Sequence, residues 1–426
     1  MKKIRASINR LIFQNPIVNR YSIIFRELPA DLRGKWSAYH AAFILQQHLQ
    51  NAEHSSIEYK IRHEKRYSAP FFLLFLARSQ LLQNDSSNAL ITINHFLQKY
   101  PKHTDANYLY AEILALDEKK DEAWQVLENL LTHTKRRKTW QHLSNLVNDK
   151  ASFDRYLTLL TFYYPQWNES PLTYDLTTHL ANAAQRAGCI DFSLNLWKTY
   201  YYKQLKDEFP QPIIQLNLSK KRYTDLLAER ALGDLKVCLD KENIIFFLIS
   251  GTLLGCIREG KLLGHDKDID IGVWENNNIK QLSHIFRKSG CFYVLPHHSE
   301  EILVVRHVNG ITIDIFIHHR TPNDYWHAGG KSKWHNTPFD LIQHQFLGAS
   351  YLIPKTYDRY LTENYGDWYT PKINFDSALD TPNMEVIDNK AMLIYLYKKL
   401  SHKNTLNPNL RLRLEQALNH YETISH

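Results

Sequence analysis

The sequence predicts a mixed α/β (α+β) domain in its second half, preceded by an all-helical domain. Between about residues 36 and 205, apolar residues recur at intervals of three and four, which is the period of an α-helix, and glycine and proline are sparse. Pro210 and Pro212 break this pattern, and beyond them apolar residues alternate as they do in strands. We therefore divide the chain into an N-terminal segment 1–35, a helical domain 36–210 and a mixed α/β domain 211–426.

The composition is typical of a soluble globular protein. Of the 426 residues, 44% are hydrophobic, and no apolar run is long enough to cross a bilayer. The start, "MKKIRASINRLIFQNPIVNR", is basic, but its apolar run is too short for a secretion signal. The four cysteines are scattered without a CxxC pair, so we expect neither a disulfide framework nor a zinc site. We expect a cytoplasmic protein without a transmembrane segment, and peripheral association with the inner membrane face stays open.

The net charge of +8 allows a polyanionic partner. Nucleotides, a phosphate-bearing polymer, an anionic membrane face and nucleic acid are the candidate partners. Most lysines and arginines are scattered along the chain, which is typical of a solvated surface. Because no nucleic-acid-binding motif is recognisable, we do not expect a nucleic-acid partner.

Small residues recur in the helical domain at a spacing of 34 residues. This is the period of tetratricopeptide repeats, in which small residues let paired helices approach closely. The recurring pairs are Ala77 with Ala89, Ala111 with Ala123 and, in a poorer third unit, Ala181 with Ser193. We therefore predict a degenerate array of tetratricopeptide-like repeats. Such an array offers a concave docking surface for a protein partner, or it braces the second domain.

One helix and four strands are recognisable beyond the boundary. Residues 222–242 have the helical period, and "NIIFFLIS" after them is a run typical of a buried strand. Alternating patterns follow in "DIDIGVW", "EILVVRHV" and "ITIDIFIHH". Asn309 and Gly310, between the last two, predict a hairpin turn. These elements predict a sheet with flanking helices.

Acidic residues occupy alternate positions in two of these strands. Since strand side chains alternate between faces, Asp268 and Asp270 share one face, and Asp314 and His318 share one face of their own strand. If the strands are neighbours, the three carboxylates converge. Their mutual repulsion requires a neutralising cation. Mg²⁺ or Mn²⁺, held by these aspartates together with a substrate's phosphates, is the expected ion.

A turn upstream of the acidic strand has the pattern of an anion site. In "ISGTLLGCIREG", a buried strand leads through small residues into a helix, whose N-terminal N–H groups attract anions. Gly251 lets a phosphate come close, and Thr252 either hydrogen-bonds it or caps the helix. Arg258 either forms paired hydrogen bonds to a phosphate or pairs with Glu259.

At this point the sequence resembles a known family. "GTLLGCIREGKLLGHDKDIDIGV" is similar to the signature of the LicD/fukutin family, whose members have the nucleotidyltransferase fold. "IDIFIHH" resembles the family's third-aspartate strand, and the stretch from "YWHAGG" to "YGDWYTP" resembles a later fukutin-type block. The resemblance covers about residues 220–385 and departs from the usual pattern at His265, Lys267 and Cys256. Lys267 should point away from the ligand face, and the role of Asp266 stays open.

The resemblance implies a mixed sheet with helices and a phosphotransferase activity. Such an enzyme moves a phospho-alcohol (ribitol phosphate, glycerol phosphate or phosphocholine) from a CDP-activated donor to a hydroxyl of a glycan, and it releases CMP. The acceptor would be a cell-surface glycan such as capsule or lipopolysaccharide.

The resemblance also implies roles for individual residues. Asp268 and Asp270 would bind Mg²⁺, and Asp314 would be a third ligand or the base for the acceptor hydroxyl, with His318 as a rival proton acceptor. Gly251, Thr252 and Arg258 would hold the phosphates. A substrate pocket, or alternatively a core beneath a loop, would be lined by Trp326, His327, Trp334 and His335. Trp368 is expected to be structural.

Two other functions remain open from sequence. A conventional nucleotidyltransferase would use the same carboxylates to move a nucleoside monophosphate from an NTP donor. A non-catalytic assembly factor in surface polysaccharide synthesis would use only the helical repeats. The three aspartates together argue against an inert domain, and the later block argues against the NTP-dependent enzyme.

Overall fold

The computed structural model describes residues 28–33, 35–167, 172–206, 225–264, 268–296, 299–372, 374–401 and 406–424. The start of the N-terminal segment, the predicted boundary at Pro210 and Pro212, and the positions His265, Asp266 and Lys267 lie outside these residues. No helix in the described ranges combines the length and the apolar character needed to cross a bilayer.

The region before residue 206 is helical, as the periodicity predicts. Its helices begin where the sequence supplies caps: the Asp85 side chain accepts from the Asn88 N–H, and Asp149 and Ser152 form a reciprocal capping box. Two short 3₁₀ turns, Lys65–Tyr67 and Pro70–Phe72, follow the second helix. The α-helices are α1 (Trp36–Gln50), α2 (His54–His63), α3 (Leu73–Leu82), α4 (Ser86–Lys99), α5 (Thr104–Leu116), α6 (Lys120–His133), α7 (Arg137–Leu146), α8 (Lys150–Tyr163), α9 (Tyr174–Arg186) and α10 (Ile190–Leu205).

Successive helices of this region pack as pairs. Helix α3 packs against α4, α5 against α6, and α9 against α10. All of the small residues that recur in the sequence are buried: Ala77, Ala89, Ala111, Ala123, Ala181 and Ser193. Close helix approach at these positions therefore agrees with the sequence pattern, and the assignment to tetratricopeptide repeats stays a prediction.

The second half combines a mixed sheet with helices. Its helices are α11 (Asp225–Lys241), α12 (Ser250–Glu259), α13 (Ile279–Lys288), α14 (Tyr357–Tyr365), α15 (Asn389–Leu400) and α16 (Pro408–Ile424). Its strands are β1 (Phe246–Leu248), β2 (Asp268–Trp274), β3 (Phe292–Val294), β4 (Ile302–His307), β5 (Thr312–Arg320), β6 (Tyr325–Gly329), β7 (Ser332–Asn336), β8 (Leu341–Phe346), β9 (Ala349–Pro354) and β10 (Met384–Val386). The mixed α/β class predicted from sequence is confirmed.

The ten strands form one sheet in the order β10-β7-β6-β5-β2-β1-β9-β8. Strand β5 is central: it is parallel to β2 on one edge, and on its other edge it pairs first with β4 and then with β6. Strand β3 lies outside β4. The two acidic strands are thus immediate neighbours.

The sheet has an aliphatic face and an acidic face. Ile269, Ile271, Ile313 and Ile315 are fully buried in one hydrophobic cluster with residues of α11 and α13. Burying each such side chain contributes about 1.5–3 kcal/mol. This aliphatic layer fixes the register of β2 and β5, since a shift by one residue would turn the isoleucines to the acidic face.

The helical domain contacts the second half at two separate places. In α2, the His54 Nε2–H donates to the Gly290 carbonyl (2.6 Å) and Nδ1 accepts from the Ser79 hydroxyl (2.8 Å). At the other end, α10 packs against α15, which also packs against α16. The C-terminal helices and α10 therefore share one hydrophobic cluster.

Candidate active site

Three carboxylates lie on the acidic face of the sheet. Asp268 and Asp270 are on β2, and Asp314 on β5 is the direct cross-strand partner of Asp270. Neighbouring strands are about 4.8 Å apart, so the two side chains project from adjacent positions. All three aspartates are partly exposed. The structure thus brings together the residues that the sequence nominates as metal ligands.

This donor set fits a hard divalent cation. The donors are carboxylate oxygens on a partly exposed face. An open, oxygen-only face of this kind suits Mg²⁺, which keeps water and phosphate oxygens among its ligands, better than an ion that needs a closed protein cage.

Gly272 allows an aromatic layer to form next to the carboxylates. A Cβ atom at this position would lie 2.6 Å from the Phe247 ring and 2.8 Å from Cε1 of His318. The His318 ring stacks on His327, with ring centroids 4.3 Å apart. Neighbouring rings therefore fill the space that a side chain at Gly272 would take. These rings form the floor of the site beside Asp270.

His318 and His327 belong to this floor and not to an open surface. Their exposed fractions are 1% and 2%. Burial lowers the pKa of His318 to about 3 and that of His327 well below its usual value, so both rings are neutral near pH 7. This placement favours a structural role over substrate contact or proton acceptance from an acceptor hydroxyl.

The aromatic residues predicted to line one pocket lie on both faces of the sheet. His327 and Trp334 stack on each other on the acidic side, 5.1 Å between centroids. Trp326 pairs with His319 across the strands and stacks on its ring at 3.9 Å, which places it on the opposite face. His335 contacts Asp324 and Glu385 on that opposite face. Trp326 and His335 therefore do not share a wall with His327.

The turn before α12 places a helix N-terminus next to the carboxylates. The helix begins at Ser250, which has a φ of +48°. Gly251, in the first turn, is partly exposed. The first N–H groups of a helix have no intrahelical partner, so this end of α12 offers donors to an anion.

Thr252 attaches this helix to the acidic strand. It is fully buried, and its Oγ1 accepts a 2.8 Å hydrogen bond from the backbone N–H of Asp270. The hydroxyl predicted to hold phosphate or cap the helix therefore fixes the position of Asp270.

Replacing Thr252 with valine is expected to lower the free energy of unfolding by about 1–3 kcal/mol, because the Asp270 N–H would be buried without an acceptor. Urea denaturation measures this change. The Thr252→Ser variant keeps the oxygen and should lose less stability than Thr252→Val. Equal losses in the two variants would mean that the hydrogen bond contributes nothing.

Arg258 links α12 to the later part of the domain. Its guanidinium donates to the Trp368 carbonyl and to Oε1 of Glu259, both at 3.1 Å, and its side chain is 13% exposed. Of the two roles considered for it, the structure shows the pairing with Glu259. Trp368 is buried in the main cluster, as expected for a structural residue.

Tyr360, on α14, is a site residue that the sequence did not single out. Its side chain is buried. No described group forms a hydrogen bond of good geometry with its hydroxyl. Burial, followed by the negative charges of Asp270 and Glu363, raises the pKa of this phenol. The hydroxyl is thus a buried donor close to Asp270 and to the Ser250 backbone. Periodicity assigns Tyr360 to a helix and carries no sign of this contact.

A second cluster of potential ligands lies outside the acidic face. Atoms of Asp234, Cys291 and His307 lie within 4.8 Å of one another. The Asn309 N–H donates to Nδ1 of His307 (3.2 Å), so Nε2 carries the proton and donates to Asp234 (2.9 Å). Both ring nitrogens of His307 therefore form hydrogen bonds, and the cluster links α11 to β4 through these bonds.

Residues 243–356 match the family model of LicD, described as LicD/FKTN/FKRP, nucleotidyltransferase domain. This range contains the turn before α12, the three aspartates and β1 to β9. The match therefore covers the candidate site and the core of the sheet.

Several curated proteins are similar to the chain at low identity. Ribitol-5-phosphate transferase FKTN of Homo sapiens is 22% identical over 197 residues, 43% of this chain and 41% of that protein. The protein of the same name from Mus musculus is 26% identical over 180 residues, 39% of this chain and 37% of that protein. An uncharacterized protein of Rickettsia prowazekii (strain Madrid E) is 23% identical over 233 residues, 52% of this chain and 84% of that protein.

The chain spans about two fifths of the length of the two FKTN proteins. The similarity therefore concerns one domain and not the whole length of these proteins. It agrees with the acidic strands and the turn described above. Over residues 243–356 the chain is similar to the LicD/FKTN/FKRP nucleotidyltransferase domain.

Proposed function

We propose that the protein is a metal-dependent phosphotransferase that moves a phospho-alcohol from a CDP-activated donor to a hydroxyl of a surface glycan. The observation that carries the proposal is the cross-strand pair Asp270 and Asp314 on a partly exposed face, next to the N-terminus of α12. The family match and the similarity to ribitol-5-phosphate transferases support a phospho-alcohol as the transferred group.

In this proposal, Asp268 and Asp270 hold Mg²⁺ or Mn²⁺, and Asp314 is either a third ligand or the base. When bound, the ion neutralises charge on the donor's diphosphate. The first N–H groups of α12 face the phosphates. The acceptor oxygen forms a bond to phosphorus while the bond to CMP breaks, and Asp314 is the candidate base for the hydroxyl proton. Phosphoryl transfer depends mainly on positioning and charge neutralisation, which this arrangement can supply.

The test is incubation of the purified chain and Mg²⁺ with CDP-ribitol, CDP-glycerol or CDP-choline and a panel of glycans. We expect CMP to be released with one donor, faster when the right acceptor is present. Pyrophosphate release from an NTP would support the conventional nucleotidyltransferase instead. If no CDP-alcohol is bound or turned over, the donor assignment is wrong.

The cellular setting also remains a proposal. A cytoplasmic enzyme, peripheral at the inner membrane face, would meet both its nucleotide donor and a growing capsule or lipopolysaccharide chain. The helical domain would then hold a protein partner or contribute to acceptor binding.

A further inference from the structure

Charged residues from both domains meet around Glu112 of α5. Its carboxylate interacts electrostatically with Arg78 of α3, Lys138 of α7, Arg287 of α13 and Arg306 of β4. Two of these cations belong to the helical domain and two to the mixed α/β domain. Helices α3, α5 and α7 therefore face the β3–β4 edge of the sheet.

These charged groups line a solvent-exposed space between the two domains, which we name the cleft. Glu112 is exposed to solvent, yet the surrounding protein is dense enough that burial raises its carboxyl pKa against the effect of the four cations. Tyr293 of β3 lies in the same place, half-buried, and is sensitive to the charges of Arg78, Glu112 and Arg306. Tyr293 also packs against the hydrophobic cluster of the helical domain, so the two domains meet beside these charged residues.

The cleft carries an excess of positive charge. Five cations (Arg78, Arg136, Lys138, Arg287 and Arg306) lie near three carboxylates: Glu112, Glu118 and Asp105, the last of which pairs with Arg136 at 2.8 Å and Lys138 at 3.7 Å. Neither Arg287 nor Arg306 forms an ion pair with any residue in the described ranges, and both are exposed. These two arginines are available to an anion from solution.

The cleft is continuous with the carboxylate face. Tyr293 pairs with Arg306, Arg306 with Thr312, and Thr312 with Asp268, so these residues form a row on one face across β3, β4, β5 and β2. Two strand spacings, roughly 10 Å, separate Arg306 from Asp268. The Arg306 guanidinium lies over the Tyr293 ring, 5.5 Å from its centroid.

We propose that this cleft binds an anionic stretch of the acceptor glycan and leads its terminal hydroxyl to the carboxylate face. The inference rests on the proposed function and names the acceptor's chemical class, a chain that carries phosphate or carboxylate groups. Guanidinium groups recognise both anions through paired hydrogen bonds. The helical domain would thus form one wall of the acceptor site.

Binding of defined oligomers tests the cleft without any transfer step. The probes are an oligomer of glycerol phosphate, an oligogalacturonate and an uncharged maltooligosaccharide, measured by calorimetry with the full chain. We expect one anionic oligomer to bind, more weakly at higher salt. The Arg287→Gln/Arg306→Gln double variant should weaken binding about tenfold for each lost arginine.

Matched variants separate charge from damage to the fold. Arg287→Lys/Arg306→Lys keeps both charges and should recover most of the affinity, and Arg62→Gln, an exposed arginine paired with Glu58, should change nothing. Whichever anionic oligomer loses affinity in the double variant identifies phosphate or carboxylate as the recognised group. Unchanged affinity in the double variant, equal binding of the uncharged chain, or equally tight binding of an RNA oligonucleotide of the same charge would overturn the proposal.

Transfer kinetics distinguish failure of the cleft from failure of the proposed function. In the double variant the KM for the acceptor should rise about 10- to 100-fold, while CMP release from the donor alone is unchanged. An unchanged acceptor KM would refute the cleft and leave the transferase intact. Suppose that the unmodified chain turns over no CDP-alcohol but binds the oligomer, and that the double variant loses this binding. That result would refute the transferase proposal and leave the cleft proposal intact.

Discussion

Replacing Asp270 or Asp314 with asparagine is expected to lower the rate of phospho-alcohol transfer on the order of 10³-fold, with little change in stability. Asparagine keeps the size of the side chain but removes the charge that attracts a divalent cation, and lost electrostatic stabilisation of phosphoryl transfer has effects of this size. The two residues are cross-strand partners, so their effects should be far from additive in the double variant. CMP release at saturating donor and Mg²⁺ measures the effect.

The control is Asp154→Asn, an exposed aspartate of α8 that pairs with Lys150, and it should keep full activity. Thermal unfolding of each variant checks that the fold is retained. Full glycan modification by cells that carry Asp270→Asn and Asp314→Asn would favour the non-catalytic assembly factor and reject the enzyme.

The second large effect is expected at Gly255, in the middle of α12. An alanine there would place its Cβ 2.6 Å from the Lys261 carbonyl oxygen and 3.1 Å from the Leu263 nitrogen. Both atoms belong to the backbone, so a side-chain rotation cannot relieve the contact. We expect a loss of at least about 2–3 kcal/mol of unfolding free energy. Activity should fall too, because the displaced loop leads into the strand that carries Asp268 and Asp270.

Gly233 provides a matched control in another helix, α11. A Cβ at this position meets nothing within 4 Å. Since alanine is a better helix former than glycine, Gly233→Ala should stabilise the protein by about 0.5–1 kcal/mol. The two substitutions are chemically identical and should have opposite signs in chemical denaturation. A stabilising Gly255→Ala would show that α12 does not pack closely on the loop.

Alternation within single strands carried the sequence prediction of the site. The isoleucines of β2 and β5 require one buried face, and this requirement places Asp268, Asp270 and Asp314 on the other. The same rule separates Trp326 from His327, since consecutive strand residues point to opposite faces. A pocket built from both residues therefore conflicts with the alternation that located the aspartates.

Contacts between distant parts of the chain could not be predicted from the sequence. Arg258 donates to the Trp368 carbonyl across 110 positions, and Glu112 interacts with Arg306 of a different domain. Hydrophobic period reports which face of an element is buried but not which element covers it. For the same reason, hydrophobic period does not reveal that the charge of Asp270 acts on Tyr360.

The two separate contacts between the domains restrict how the molecule can move. His54 attaches one end of the helical array beside β3, and α15 holds the other end through α10. A hinge requires one side to stay closed while the other opens, but here both sides are fastened. Separation of the two domains would have to break a hydrogen-bonded contact and a hydrophobic cluster at once. Substrate entry and product exit are therefore expected to depend on side chains and local segments near the acidic face, and not on separation of the two domains.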